Sequence, residues 1–417
     1  MMPNLNRLIS ETLTLPADAL VWELSRRVAD LFPGQYVLET TDYDFKLDEY
    51  ARDGRCSLHL LPDAYGQLEA TWDGRRKQAD LEPRNAYFEV LWRGRRLHVL
   101  SVTYYEGYSQ RRDFIVADDM PTARDFFSAV CAHSVTVEGQ ILVYQHGTWK
   151  KDAELMQEIS SARFEDLVLA DGLREALVDD IEGFFASREL YESLGVAWKR
   201  GVLLFGPPGN GKTHALKAIV QRMKVPCLYV RSFRAERGTP ARHIERVFSR
   251  ARLVAPCLLV LEDLDSLVPA EYLSTFLNEM DGFAENRGVL TVATTNHPGK
   301  LDPALLERPS RFDRKVTFEL PRKPERLRIL TGLDAKRPEP MRLTPEELNG
   351  LAVATKGFSF AYLKELHVAA TMAWMRERRP GAMGAVTLGL VEALRKQMRN
   401  APPPPKPSED EEDDDEE

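Results

Sequence analysis

Between residues 160 and 320 the chain alternates short apolar runs with stretches of helical periodicity; the runs are 202–205, 227–230, 257–261, 289–293 and 316–318. An apolar run without polar alternates suits a strand buried on both faces, and its alternation with helices predicts β-α units. The predicted fold class is therefore α/β, a parallel sheet flanked by helices. Residues 1–34 predict a helical segment, with Leu20, Trp22, Leu24, Val28 and Leu31 on a rough stripe and Pro33-Gly34 as its stop. Residues 35–150 predict a strand-rich α+β domain. Within it the apolar and aromatic runs 86–92 and 97–105 flank Arg93-Gly94-Arg95-Arg96, a hairpin signal, and the aromatic positions read as sheet core. A helix is predicted over 121–132, with Asp119 near its cap and Pro121 in its first turn. Runs 135–137 and 141–144 flank a second turn signal, Glu138-Gly139. Residues 321–400 predict helices only. A proline run and then an acid run fill 401–417, which predicts a disordered tail.

Composition narrows the class. Of 417 residues, 43% are hydrophobic and 29% charged, ordinary for a globular protein. The nine consecutive carboxylates at 409–417 account for more than the whole net charge of −8, leaving residues 1–408 at +1. A near-neutral body argues against a dedicated duplex-DNA binder. Apolar runs fall far short of the roughly 20 residues that span a bilayer, and the N-terminus carries no secretory h-region. Cys56, Cys131, Cys227 and Cys257 are widely spaced, which disfavours a disulfide framework or a structural zinc and predicts a reduced, cytoplasmic setting. None of the eight histidines precedes a glutamate, so the H-E-x-x-H pattern of a zinc protease is absent.

The strongest chemical signal is GPPGNGKT at 206–213, after one apolar run and before a helical stretch. Gly206, Gly209 and Gly211 permit a tight turn in which backbone N–H groups converge on an anion, and the helix dipole adds to them. Lys212 supplies charge to the β- and γ-phosphates of ATP and Thr213 a hydroxyl to Mg2+. Pro207, Pro208 and Asn210 complete the loop, and His214 follows it. In the second signal the apolar run 258–261 ends in Glu262 and Asp263. One carboxylate is then available to the metal, Glu262, and the next to an attacking water, Asp263. Asn296 ends another apolar run and is read as a γ-phosphate sensor. Finally, Arg308, Arg311 and Arg314 fall within seven residues, and arginine forks onto phosphoryl oxygens.

Together these segments resemble the AAA family of the AAA+ ATPases. The similarity covers residues 160–370 and is carried by GPPGNGKT at 206–213, LLVLEDLDSL at 258–267, LNEMDGF at 277–283, ATTNHPGKLDPALL at 293–306, RPSRFDR at 308–314 and GFSFAYLKEL at 357–366. The resemblance implies a P-loop domain at 160–320 with a helical lid at 321–400, using ATP and Mg2+. It also implies a ring of identical subunits, a hexamer or heptamer, in which Arg311, seconded by Arg314, reaches the neighbour's γ-phosphate. Residues 35–150 are then the part that binds a substrate or partner. A narrower similarity extends upstream: EDLVL at 165–169, DIEGFF at 180–185, Tyr191 and WKRG at 198–201 look like the approach to the P-loop in the mitochondrial AAA translocases that assemble the Rieske protein. VYQHGTW at 143–149 resembles an element of their middle domain. Their N-terminal transmembrane helix has no counterpart here, which counts against a membrane role.

Three positions depart from the family pattern. Glu262-Asp263 reverses the usual order of acids, although the translocase group shares it. The aromatic pore position falls at Glu236, with Phe233 as a substitute. Phe360 stands where many relatives place glycine against the adenine. The leading expectation is a Mg-ATP-hydrolysing ring that remodels, unfolds or translocates a protein client. The alternative is a slow ATP-gated assembly or binding switch without threading. A nucleic-acid-dependent ATPase is disfavoured; its one support is the i, i+4 series Arg242, Arg246, Arg250.

Overall fold

The computed structural model describes residues 5–61, 67–73, 77–105, 109–135, 141–164, 172–235, 238–281, 285–308, 310–377, 379 and 381–399. The chain divides into two compact units, Met1–Glu138 and Gly139–Glu417.

In the first unit, six strands form an antiparallel sheet: β1 (Tyr36–Thr40), β2 (Ser57–Leu60), β3 (Gln67–Asp73), β4 (Gln78–Trp92), β5 (Arg95–Tyr105) and β6 (Ser109–Ala117). Arg93 and Gly94, with φ of 50° and 76°, make the two-residue turn between β4 and β5 where a hairpin was expected. Both sheet faces are covered, which explains the unbroken apolar runs. Phe88, Val90, Trp92, Leu97, Val99 and Ile115 pack with Phe126 and Val130 of the helix Met120–Val135. Tyr87, Leu100, Val102, Phe114 and Val116 pack with Leu5, Leu8, Leu24 and Val28 of the helices Leu5–Thr12 and Ala17–Leu31. The N-terminal helices are thus part of the same unit as the sheet. Asp119 caps the helix Met120–Val135, its carboxylate accepting from the Thr122 N–H at 2.7 Å.

The second unit holds a seven-stranded sheet in the order β13-β9-β12-β11-β10-β7-β8. Its strands are β7 (Ile141–Gln145), β8 (Thr148–Lys151), β9 (Arg200–Phe205), β10 (Cys227–Val230), β11 (Cys257–Leu261), β12 (Val289–Thr295) and β13 (Arg314–Thr317). All pairs are parallel except β7 with β8. One face buries Val202, Leu204, Val260 and Val292 against the helices Leu173–Ala186 and Lys212–Met223. The alternate residues Leu203, Leu259 and Leu261 are equally buried, so the second face is covered too. There the helix Pro240–Val254 contacts β11, and its Phe248 meets Phe276 of the helix Leu273–Asp281 at 5.7 Å. Four helices follow, Lys323–Asp334, Pro345–Ala354, Phe360–Glu377 and Met383–Arg399, with their own apolar core.

One expectation is corrected. Residues 141–151 belong with the second unit, not with the strand-rich region before it, because β7 pairs in parallel with β10, Cys227 opposite Ile141. The turn there is His146-Gly147, both at positive φ, whereas Glu138-Gly139 lies outside the described residues and Val135 ends a helix. The segments 165–169 and 401–417 also lie outside the described residues. No described helix is long and apolar enough to cross a membrane.

Candidate nucleotide site

After β9 the chain reverses through residues 206–211 into the helix Lys212–Met223. Gly206 and Gly209 have φ of 144° and 76°. A Cβ on Gly206 would stand 2.2 Å from the Phe318 carbonyl oxygen, and one on Gly209 would stand 2.7 Å from the Ala361 Cβ, so both positions need glycine. Pro207 and Pro208 are exposed, while Asn210 is buried. Its Nδ2 lies 3.4 Å from the Phe318 carbonyl, and its Oδ1 meets no donor among the described residues. His214 is half-buried, and its Nε2 likewise has no partner among them.

Lys212 is buried and donates to the carbonyl oxygens of Gly206 at 2.6 Å and Pro207 at 2.9 Å. Burial pushes its pKa down, against the pull of Asp263 and Asp265. A buried ammonium held by neutral carbonyls gains most from an arriving anion.

The register of the sheet brings the other residues to the same end. β9, β12 and β11 are neighbours, and their carboxyl ends carry the P-loop, Asn296 and the Glu262-Asp263 pair. Both oxygens of Glu262 accept protein hydroxyls, Thr213 on Oε1 and Tyr229 on Oε2. Asp263 turns left-handed, with φ 49° and ψ 56°, before the short helix Leu264–Leu267; aspartate tolerates this conformation better than most residues. Its N–H donates to Thr294 Oγ1 at 3.0 Å, and Asn296 Nδ2 donates to its Oδ1 at 3.0 Å. Burial, then the charges of Glu262 and Asp265, hold the Asp263 carboxyl above its usual range, while Lys212 and His297 pull it back. Thr295 donates to Asp265 Oδ1 at 2.6 Å. A cavity of about 210 Å³ opens beside the acid pair, walled by Tyr229, Arg231, Arg234 and Ser266.

The arginine loop is arranged differently. Arg311 is only 5% exposed; its Nε lies 2.5 Å from Asp281 Oδ2, and its guanidinium also donates to the Ala304 carbonyl. Arg314 pairs with Asp180 at 2.7 Å and stays 39% exposed, and Arg308 is exposed. Within the chain, then, Arg311 serves Asp281, a partner that the sequence did not suggest. Phe233 is not available as an aromatic pore residue: it is buried edge-on against Phe276, and Glu236 lies outside the described residues. Phe360 packs onto the core of the C-terminal helices, leaving Ser359 and Ala361 to meet Gly209. Arg250 is buried and Arg246 donates to the Gly147 carbonyl at 3.3 Å, so the series from Arg242 is not an exposed basic stripe.

Sequence reasoning missed Tyr229, Asp265 and Asp281. The sole sequence hint for Tyr229 is a polar-tipped residue in an apolar run; its partner emerges only from the pairing of Tyr229 with Val260 across β10 and β11.

Residues 202–320 match the family model for the ATPase family associated with various cellular activities (AAA). An ATP-dependent zinc metalloprotease FtsH of Acidothermus cellulolyticus is 36% identical over 240 residues, 53% of this chain and 35% of that protein. The ribosome biogenesis ATPase RIX7 of Saccharomyces cerevisiae is 36% identical over 166 residues, 37% of this chain and 20% of that one. A cell division cycle protein 48 homolog of Archaeoglobus fulgidus is 30% identical over 243 residues, 55% of this chain and 33% of that one. The chain thus spans about a third or less of these relatives' lengths. The glycine turn, the buried lysine and the paired acids at the sheet's carboxyl edge coincide with the matched region, and the chain carries an AAA ATPase domain, an ATP-hydrolysing module that works with Mg2+.

Proposed function

We propose that this chain is a Mg-ATP-hydrolysing ring ATPase that remodels, unfolds or translocates a protein client. A single arrangement supports it most: Lys212, the Thr213–Glu262 contact and the Asp263–Asn296 pair converge at the ends of neighbouring strands. The residues fit the groups they would hold. Mg2+ commonly takes one or two protein oxygens beside phosphate and water, and Thr213 and Glu262 already stand together. The buried ammonium of Lys212, held only by neutral carbonyls, suits an anionic ligand. Bound Mg-ATP supplies the transferable phosphoryl group and neutralises its charge. On the protein side, Gly206 to Gly211 and Lys212 bind phosphate, and Glu262 and Thr213 hold the metal. Asp263 accepts a proton at its carboxylate, and Asn296 fixes the Oδ1 that receives it.

In this function residues 160–320, joined by β7 and β8, form the nucleotide domain and 321–400 the lid. The first unit binds the client. Arg311 and Arg314 act on a neighbour's site in a hexamer or heptamer. Kinship with the Rieske-protein translocases is supported by the sequence segments 143–149, 165–169, 180–185, Tyr191 and 198–201. The relatives' names span proteolysis, ribosome biogenesis and cell division, and no histidine in this sequence precedes a glutamate.

Burial of Phe233 favours a second reading, an ATP-gated switch that turns over slowly without threading a polypeptide. One experiment addresses both: phosphate release by the full chain and by Asp263→Asn, each with and without an unfolded model protein. Removing the base should cost about 10²–10⁴ in turnover while nucleotide binding persists. Stimulation of the wild type by the unfolded protein supports remodelling; a low, unstimulated rate supports the switch. Equal turnover by Asp263→Asn defeats the assignment of the base.

A further inference from the structure

Glu262 reaches its position through three side-chain torsions, and each free torsion lowers the fraction of time its carboxylate faces the metal position. Thr213 restrains one oxygen, but Thr213 is itself assigned to the metal. The other oxygen is held from a different strand. Tyr229, on β10, donates its hydroxyl to Glu262 Oε2. The ring of Tyr229 packs against the core that also contains Val260 and Val143, and the guanidinium of Arg231 lies 6.0 Å from its centroid. A phenol has two torsions and here is packed on one side, so its oxygen is a fixed point in a way that the Glu262 carboxylate is not.

We propose that Tyr229 is a positioning residue that aims Glu262 at Mg2+. This rests on the Mg-ATP reading of the site, and it goes beyond it by placing metal affinity under the control of a residue that touches neither nucleotide nor metal. Tyr229 holds one carboxylate oxygen, which keeps Oε1 beside Thr213 Oγ1, the two oxygens that would hold Mg2+. Partners of metal-ligating carboxylates are commonly worth 10–100-fold in metal affinity.

The test uses the full chain with a fluorescent N-methylanthraniloyl ATP, titrated first in EDTA and then with Mg2+. Wild type should bind in EDTA and tighten with Mg2+. Tyr229→Phe should bind equally in EDTA, but its half-saturating Mg2+ concentration should rise about tenfold. Glu262→Asp, whose shorter carboxylate withdraws from the phenol, should show its own shift, and adding Tyr229→Phe to it should shift the midpoint no further. An unmoved midpoint in Tyr229→Phe, or fully additive shifts in the double variant, overturns the proposal. Weakened binding in EDTA overturns it too, because Tyr229 would then serve the loop rather than the metal. A wild type that ignores Mg2+, or binds no nucleotide, instead overturns the Mg-ATP reading itself.

Discussion

At the strand ends, charged groups rest on partners that a ligand can replace. Lys212 donates to two loop carbonyls, Thr213 to Glu262, and Asn296 to Asp263. In the loop 308–314 the charges are already matched: Arg311 is buried on Asp281, Arg314 lies on Asp180, and Asp313 bonds Arg200 and the Gly201 N–H. A Cβ on Gly201 would fall 1.7 Å from the Arg311 carbonyl oxygen, so the loop's backbone is seated directly on the start of β9. The first region stores unspent electrostatic capacity. The second uses its capacity to hold the chain together. Substitutions should separate the two: chemistry fails without stability in the first, and in the second stability fails where the buried Arg311–Asp281 pair is broken.

The largest effect expected is at Lys212. Lys212→Ala removes the charge aimed at the phosphates, and turnover should fall about a thousandfold or more, by analogy with loss of one preorganised donor. The nucleotide-free protein should nevertheless unfold within about 1 kcal/mol of wild type, since the lost ammonium was buried on neutral carbonyls. Phosphate release and urea unfolding measure the two quantities. A large loss of stability would erase the contrast between the regions.

Arg311→Ala should do the opposite. It strands the Asp281 carboxylate, which is 19% exposed and whose next cation, Lys199, stands 3.9 Å away. Breaking a buried pair from one side costs about 3–5 kcal/mol. The urea midpoint should drop accordingly, and Arg311→Ala combined with Asp281→Ala should recover much of the loss. Were Arg311 only a donor to a neighbour, the midpoint would not move.

The same division explains what could be read from the sequence. The P-loop was legible because its conformation follows from nearby residues: glycines where φ is positive, an apolar strand before, a helix after. Glu262-Asp263 was legible for a similar reason, as acids closing an apolar run. β7 was visible as the apolar run 141–144, yet neither its hairpin partner β8 nor its sheet was, because membership is set by pairing with β10 far along the chain. The pairing of Arg311 with Asp281 and the contact of Tyr229 with Glu262 are tertiary in the same sense. Long polar side chains advertise their charge in the sequence, while the fold chooses the partner.

The smallest effect on stability belongs to Arg314, and it bears most directly on which arginine can be lent across a ring. The side chains of its pair are 39% and 27% exposed, and Asp180 also has Arg200 at 3.5 Å, so losing Arg314 leaves no stranded carboxylate. Exposed pairs contribute about 0–1 kcal/mol, so Arg314→Ala should leave the urea midpoint nearly unchanged. Releasing Arg311 instead means breaking the buried pair. Arg314 is therefore the cheaper arginine to move toward a neighbouring phosphate, and its removal should lower turnover more than tenfold with the fold intact. Mixing separates a lent arginine from a local one. Lys212→Ala subunits keep their arginines without a working nucleotide site, and Arg314→Ala subunits keep the site without that arginine. Mixed in equal amounts, they should hydrolyse ATP faster than either alone; a mixture no faster than the average of the two would confine Arg314 to its own chain.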